Sequence, residues 1–437
     1  MSKQMACEQM EQMKPAAVSP ADKLMSLAAR LLFENGQTTR RTVEAVAQMG
    51  ETLGLRATLI PRWGDLTLRT DDDTSSRYES FAAEPAGVDM HRVAAVMQLV
   101  DDFHAGGIDI GTAQSDLEAI GRYPPASTLR FALMAAAGAA ALGVIFGAAH
   151  LPSLALIAFS AGLGAVLRRG LAMISQSPLV QPLCAAILAG IIGAIAVRLD
   201  QSSLLRLVAV CPCMVLVPGP HLLNGAIDLA RLRIGLGAAR IAYAGLIILM
   251  ICTGLLAGLA LGGATLPPEP PSIPVPVVYD VLAAGVAVAA YGTFFSMPWR
   301  MLPFPILVGM LAHAVRWTLI SMAGANVEAG ALVACLIVGI LVTLIADRLR
   351  LPFAAFAFAS VVSLIPGVYL FRMASGFVSL ITLGAKAPPG LLAEAVTDGV
   401  TALLIMLAMA FGLIVPKMII EPFLRESSSL SPCKRNA

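Results

Sequence analysis

The sequence predicts an α-helical polytopic membrane protein: ten transmembrane helices forming two inverted five-helix repeats, with a cytoplasmic α+β domain ahead of them. Three observations lead there. The 437 residues are 57% hydrophobic and only 13% charged, with a mean hydropathy of +0.79; ordinary soluble domains carry about twice that share of charge. From Leu129 onward the apolar residues gather into segments of about 20 residues, the length that crosses a bilayer. Two of those segments are interrupted by proline and glycine, at Pro218-Gly219 and Pro366-Gly367. A net charge of +2 leaves no footprint for nucleic acid. The seven cysteines have no framework spacing, so no disulfides are expected. The opening "MSKQMACEQMEQMKPAAVSP" lacks the apolar core of a cleaved signal.

Residues 1–127 read as the soluble α+β domain. Helices are expected near 21–34, 38–53, 89–105 and 110–121, with short strands around 55–60, 65–70 and 77–83. Thr38 or Thr39, following Gly36, suits a helix N-cap. The alternation in "LRATLIPRWGDLTLRT" predicts a hairpin turning around Arg62–Asp65.

The ten spans are expected at 129–149, 152–172, 178–198, 203–223, 237–263, 276–295, 304–324, 329–346, 352–372 and 391–415. The segment "PPEPPSIPVP", 267–276, is a stiff linker free of Lys and Arg. It separates a first five-helix unit, 128–266, from a second, 277–420, and leaves 421–437 as a cytoplasmic tail. With the N-domain inside, the inner loops and tail carry Arg168, Arg169, Arg231, Arg233, Arg240, Arg300, Arg348, Arg350, Lys417, Arg425, Lys434 and Arg435. The outer side receives only Arg198, Arg206, Arg372 and Lys386, with Arg316 near its end. The positive-inside rule then puts both termini in the cytoplasm, as an even number of crossings requires.

Superposing the two breaks needs a shift of 148 residues (366 − 218). The same shift sets Asn224 on Arg372 and His221 on Tyr369. Five crossings per copy is an odd number, so the second copy is inverted relative to the first. Helices broken at matching positions of inverted repeats point to the binding site of a secondary transporter. A break inside the bilayer frees N–H and C=O groups that lipid cannot satisfy, and these become useful when they line a cavity. A half-helix N-terminus also favours an anionic group such as a carboxylate.

Three segments, "LVPGPHLLNGAIDLARLRIGLGAAR", "SLIPGVYLFRMASG" and "LLFENGQTTRRTVEAVAQMGETLGL", occur in an order that resembles the threonine/serine exporter family. In that family two five-helix units are fused, as here, or encoded as separate subunits. The resemblance implies efflux of small hydroxy amino acids driven by the proton motive force, in a bacterial cytoplasmic (inner) membrane. A branch of the family exports dicarboxylates such as succinate, so either substrate remains open. The implied partners are a small carboxylate-bearing substrate, protons and membrane lipid, with homo-oligomerisation open; no cofactor and no nucleic acid are expected.

The substrate-binding candidates are Pro218, Gly219, Asn224, Pro366, Gly367 and Arg372. An arginine near membrane depth is costly when uncompensated, and its fork grips a carboxylate through two parallel hydrogen bonds. The proton-coupling candidates are Asp398, Asp228 and Asp280, because intramembrane carboxylates are rare and functional by default. Asp398 leads them, lying inside the tenth span as the most buried-looking acid, unless that helix starts later and leaves it near the outer end. Asp280 sits early in the sixth, nearer the interface, and Asp228 falls where "AIDLARLRI" could form an amphipathic surface helix. His313 and Arg316, one turn apart, could bind a carboxylate, or Arg316 could snorkel to the interface.

Two other readings carry less. Cys211-Pro212-Cys213 suits a soft metal ion, but the chain has no aspartyl-phosphate signature, P-loop or further Cys/His tract, so no metal site is expected. A membrane-tethered hydrolase could use His91, Asp101, Asp102 and His104 as acid–base groups. No nucleophile elbow or HExxH motif accompanies them, and an enzyme is not the expected reading.

Overall fold

The computed structural model describes residues 19–72, 75–148, 150–175, 177–198, 205–264, 275–348 and 353–429. Most of the proline-rich linker, the final eight residues, Cys7 and Asp73 lie outside them. The chain divides into two compact units. The first holds the residues up to Glu34, Thr39–Pro85 and Ala95–Tyr123; the second holds Asn35–Thr38, Ala86–Ala94 and everything from Pro124. The N-terminal region therefore contributes two short segments to the second unit.

In the N-terminal region α1 (Pro20–Glu34), α2 (Thr39–Thr52), α3 (Met90–His104) and α4 (Ile110–Gly121) fall where the sequence pattern predicts helices. So do β1 (Arg56–Pro61), β2 (Gly64–Asp71) and β3 (Ser76–Ala83), which pair antiparallel in that order. Leu24, Ala28, Leu31 and Leu32 line one face of α1 and are buried, the spacing of an amphipathic helix on a sheet. The hairpin turns at Trp63-Gly64, with Arg62 N–H donating to the Asp65 carbonyl. Asp109 caps α4, accepting the N–H groups of Gly111 and Thr112.

The second unit contains two runs of six helices in the same order. The first run is α5 (Thr128–Ile145), α6 (Leu151–Ile174), α7 (Val180–Arg198), α8 (Leu205–Met214), α9 (Gly219–Ala230) and α10 (Ile234–Leu261). The second is α11 (Val277–Phe294), α12 (Pro303–Ser321), α13 (Val327–Arg348), α14 (Phe353–Val361), α15 (Gly367–Leu383) and α16 (Leu391–Ser429). Each run has three long helices, a short one, a break, and two more. Neighbours are matched as well: α5 packs on α6, α7 on α10, and α9 on α10, as α11 packs on α12, α13 on α16, and α15 on α16. Small residues make the tightest of these contacts. A methyl at Gly254 would approach the Leu183 carbonyl to 2.5 Å, and one at Gly339 the Gly412 carbonyl to 2.5 Å, so only glycine lets the paired backbones meet.

Among the described residues nine helices are long and apolar enough to cross a membrane, or ten if the bent pair α8–α9 is one span. That pair turns by 53° at its break. The segment expected as one span at 352–372 is instead divided: α14 stops at Val361, Val362–Leu364 form a 3₁₀ turn, and α15 runs on to Leu383. Pro366 can neither donate to the preceding turn nor let Ile365 remain helical, so the helix must restart there.

Candidate substrate site at the two helix breaks

Both breaks close with the same backbone turn. Pro218 (φ −83°, ψ 62°) and Pro366 (φ −78°, ψ 42°) each precede the first residue of a new helix. Gly219 N–H donates to the Val217 carbonyl at 3.0 Å, and Gly367 N–H to the Ile365 carbonyl at 2.8 Å. These are inverse γ-turns centred on proline, whose fixed φ suits them. The turn spends the first N–H of each half-helix. In α9 the next residue, Pro220, has no N–H, and His221 N–H donates back to the Pro218 carbonyl at 3.2 Å. The first turn of α9 is thus poor in donors for an anion, contrary to the simple expectation from a broken helix.

The two runs contact one another reciprocally at the breaks. A methyl at Gly219 would fall inside the ring of Phe358 on α14, and one at Gly367 would meet the Met214 side chain on α8. Likewise α9 packs on α14 and α8 on α15. Tyr291 on α11 donates its hydroxyl to the Met214 carbonyl at 2.8 Å, satisfying a group that the first break exposes.

A cavity of about 250 Å³ brings the breaks together, with Gly219 and Pro366 on its walls beside Phe358 and Leu370. Its lining is apolar, and Asn224, Arg372 and the three acids are not part of it. A smaller cavity of about 70 Å³ lies at the second break. Arg316, Ser363, Pro366 and Tyr369 line it, together with Phe146 from the first run.

The polar candidates pair off. Arg372 Nε lies 2.9 Å from Asp398 Oδ2, so the arginine that the sequence left uncompensated has a carboxylate on α16. The Arg372 guanidinium also stands 5.9 Å from the ring of Tyr369, which is itself a wall of the Arg316 cavity. Asn224, its counterpart in the first run, donates its amide to the Gly36 carbonyl at 3.1 Å. Asp228 is buried rather than on a surface helix, 3.2 Å from the fully buried Arg240 and 3.6 Å from Arg233. Asp280, in the first turn of α11, is buried as well. Its Oδ2 lies 2.8 Å from His313 Nδ1, and His313 Nε2 lies 2.6 Å from the Ser363 hydroxyl. That chain links α11 and α12 to the turn before the second break. Sequence reasoning missed Ser363, Tyr291 and the role of Arg240. Only the position of Ser363, three residues before Pro366, offered a signal.

Thr52 Oγ1 lies 2.9 Å from His104 Nδ1, and Gln48 Nε2 lies 3.5 Å from Asp101 Oδ1. His91 belongs to the second unit, and Asp101, Asp102 and His104 to the first. Cys211 and Cys213 are buried on α8 and form no disulfide.

Two matched runs of membrane-length helices, each broken at proline beside a cavity, define an integral membrane protein of the carrier class. Residues 23–262 match the family model described as "Putative threonine/serine exporter", and residues 280–419 match "Threonine/Serine exporter, ThrE". The chain belongs to the threonine/serine exporter family, with both units fused in one polypeptide. No solved structure matches it.

Proposed function

We propose that the protein exports threonine and serine by exchanging them for protons. The observation that carries this reading is the Arg372–Asp398 pair, whose arginine faces Tyr369, a wall of the Arg316 cavity. An amino-acid zwitterion has one group of each sign, the complement of such a pair: its carboxylate matches Arg372 and its ammonium matches Asp398. A proton on Asp398 removes the ammonium's partner. Proton and substrate then compete for one carboxylate, which is what antiport requires. The Ser363 hydroxyl in the adjoining cavity suits a hydroxyl-bearing side chain. Pro218, Gly219, Pro366 and Gly367 shape the crossing of the broken helices, and Asn224 holds the loop at Gly36. Asp280 acts through His313 on Ser363, while Asp228 is a structural partner of Arg240.

In this reading the two runs are inverted repeats in a bacterial cytoplasmic membrane, with both termini inside. The reciprocal contacts and the five candidate crossings available to each run support it. Residues 1–127 serve as a cytoplasmic regulatory module, 128–266 and 277–420 as the repeats, 267–276 as their linker and 421–437 as a tail. Succinate export is the second reading. It is favoured by one feature, the presence of two arginines, Arg316 and Arg372, about Tyr369. Inverted membrane vesicles distinguish the two: uptake of threonine or serine that collapses with the pH gradient supports the first, and gradient-driven uptake of succinate alone supports the second.

A further inference from the structure

One polar cluster plays no part in that reading. Ser160 and Arg168, both on α6, line a cavity of about 10 Å³ with Pro212, Leu216 and Phe294. Ser160 is 1% exposed, and its Oγ is buried without a hydrogen-bond partner; the same holds for Arg168 Nε. Buried polar atoms are nearly always satisfied, and an unsatisfied pair on a membrane helix calls for a ligand or water to complete it. The adjacent Arg169 donates to the Ala126 carbonyl at 2.9 Å, and both guanidiniums stand over the Phe131 ring, Arg169 at 4.6 Å and Arg168 at 5.7 Å.

The location gives the cluster its meaning. The shift that superposes the breaks (366 − 218 = 148) also sets Arg168 on Arg316, Leu216 on Leu364 and Phe146 on Phe294. The phenylalanines are exchanged: Phe294 of the second run walls the Arg168 cavity, and Phe146 of the first run walls the Arg316 cavity. The two cavities are therefore one design used twice. Their hydroxyls come from different places, Ser160 from α6 itself and Ser363 from the turn before the break. They also differ in size, about 10 Å³ against about 70 Å³.

We propose that Arg168 and Ser160 form a second binding site for a small carboxylate-bearing solute, the repeat-related counterpart of the Arg316 cavity, loaded from the opposite membrane face. Guanidinium offers two parallel donors to a carboxylate, and the Ser160 hydroxyl supplies a further hydrogen bond. A cavity of about 10 Å³ accepts no more than a water-sized group. Phe294 must withdraw before the site fills, as Phe146 has left room beside Arg316. Alternation of the two phenylalanines loads one arginine site while closing the other.

The inference deepens the export reading by adding a site, and its test separates the two. L-serine binding to the purified full-length protein is measured at equilibrium, and serine transport is measured in vesicles of each orientation. Wild type should bind serine in two classes of site, with Arg168→Lys removing one and Arg316→Lys the other. In vesicles Arg168→Lys and Ser160→Ala should raise KM about tenfold from one face and less than about twofold from the other. Arg316→Lys should do the reverse. Phe294→Ala should lower KM on the face that Arg168→Lys impairs. Lysine keeps the charge, so an arginine that merely reaches the interface would leave both values unchanged and overturn the proposal. Equal effects on both faces, or a single class of sites unaffected by Arg168→Lys, would overturn it too. Two classes of serine site in a protein that does not transport serine would sink the export reading and leave this one standing.

Discussion

Arg372 Nε and Asp398 Oδ2 lie 2.9 Å apart, joining the helix after the second break to the last helix of the chain. At the equivalent position of the first run Asn224 meets a neutral backbone carbonyl, that of Gly36. One repeat position therefore holds a charge pair and the other a neutral hydrogen bond. If export is proton-coupled as proposed, only the charged one can exchange a proton for a substrate ion, and coupling belongs at the second break.

Asp398→Asn should abolish gradient-driven export while leaving exchange of internal for external serine. Arg372→Lys should weaken apparent affinity about tenfold, since a point charge cannot reproduce the guanidinium fork. Counterflow in proteoliposomes with and without a pH gradient measures both. An Asp398→Asn protein with unaltered pH dependence would remove Asp398 from coupling.

Asp228 and Arg240 are both buried, so Asp228→Ala should strand a cation and destabilise the membrane unit by about 3–5 kcal/mol. Replacing both by apolar residues should recover most of that loss. Thermal unfolding followed by size-exclusion chromatography compares the single and double variants. If Asp228→Ala folds normally but loses pH-dependent transport, the pair is functional rather than structural.

Gly219→Ala and Gly367→Ala should differ in severity. The first sets a methyl within the rigid Phe358 ring, whereas the second meets the flexible Met214 side chain at 2.7 Å. Gly367→Ala should cost about 1–3 kcal/mol, and Gly219→Ala should fail to fold until combined with Phe358→Ala. Yields of monodisperse protein rank the three.

Removing links from the Asp280–His313–Ser363 chain should cost progressively more. Ser363→Ala leaves the His313 ring nitrogen without its hydroxyl partner, a loss of about 1–3 kcal/mol. His313→Phe also strands the buried Asp280 carboxylate and should cost about 3–5 kcal/mol. The order of melting temperatures, wild type above Ser363→Ala above His313→Phe, is the outcome to check.

Asp109 gives the N-terminal region an acid-sensitive cap. Hydrogen bonds from the Thr112 hydroxyl and from the Thr112 and Gly111 N–H groups hold its carboxyl below the ordinary value of 3.8. A depressed pKa stabilises the folded form above the unfolded value, and the gain disappears as pH falls through the folded one. The protection of α4 amides against hydrogen exchange, corrected for the intrinsic rate at each pH, should therefore fall as pH drops below the ordinary value, and Asp109→Ala should show the lower protection already at neutral pH.

Hydrophobic segment length, period and turn residues are local properties, and the sequence alone determined what depends on them. It set the membrane class, the helices and strands of the N-terminal region, both proline breaks and the 148-residue correspondence between them (366 − 218). That correspondence already contained Arg168 opposite Arg316, and Phe146 opposite Phe294. Which side chains meet was decided by tertiary packing, because those partners are far apart in the chain. Asp398 reaches Arg372 across a helix pair, Arg240 lies under Asp228 instead of in a charged loop, and Gly36 takes the amide of Asn224 from 188 residues away. A charge in an apolar interior is tolerable only beside its partner, and helix packing, not spacing along the chain, supplies that partner.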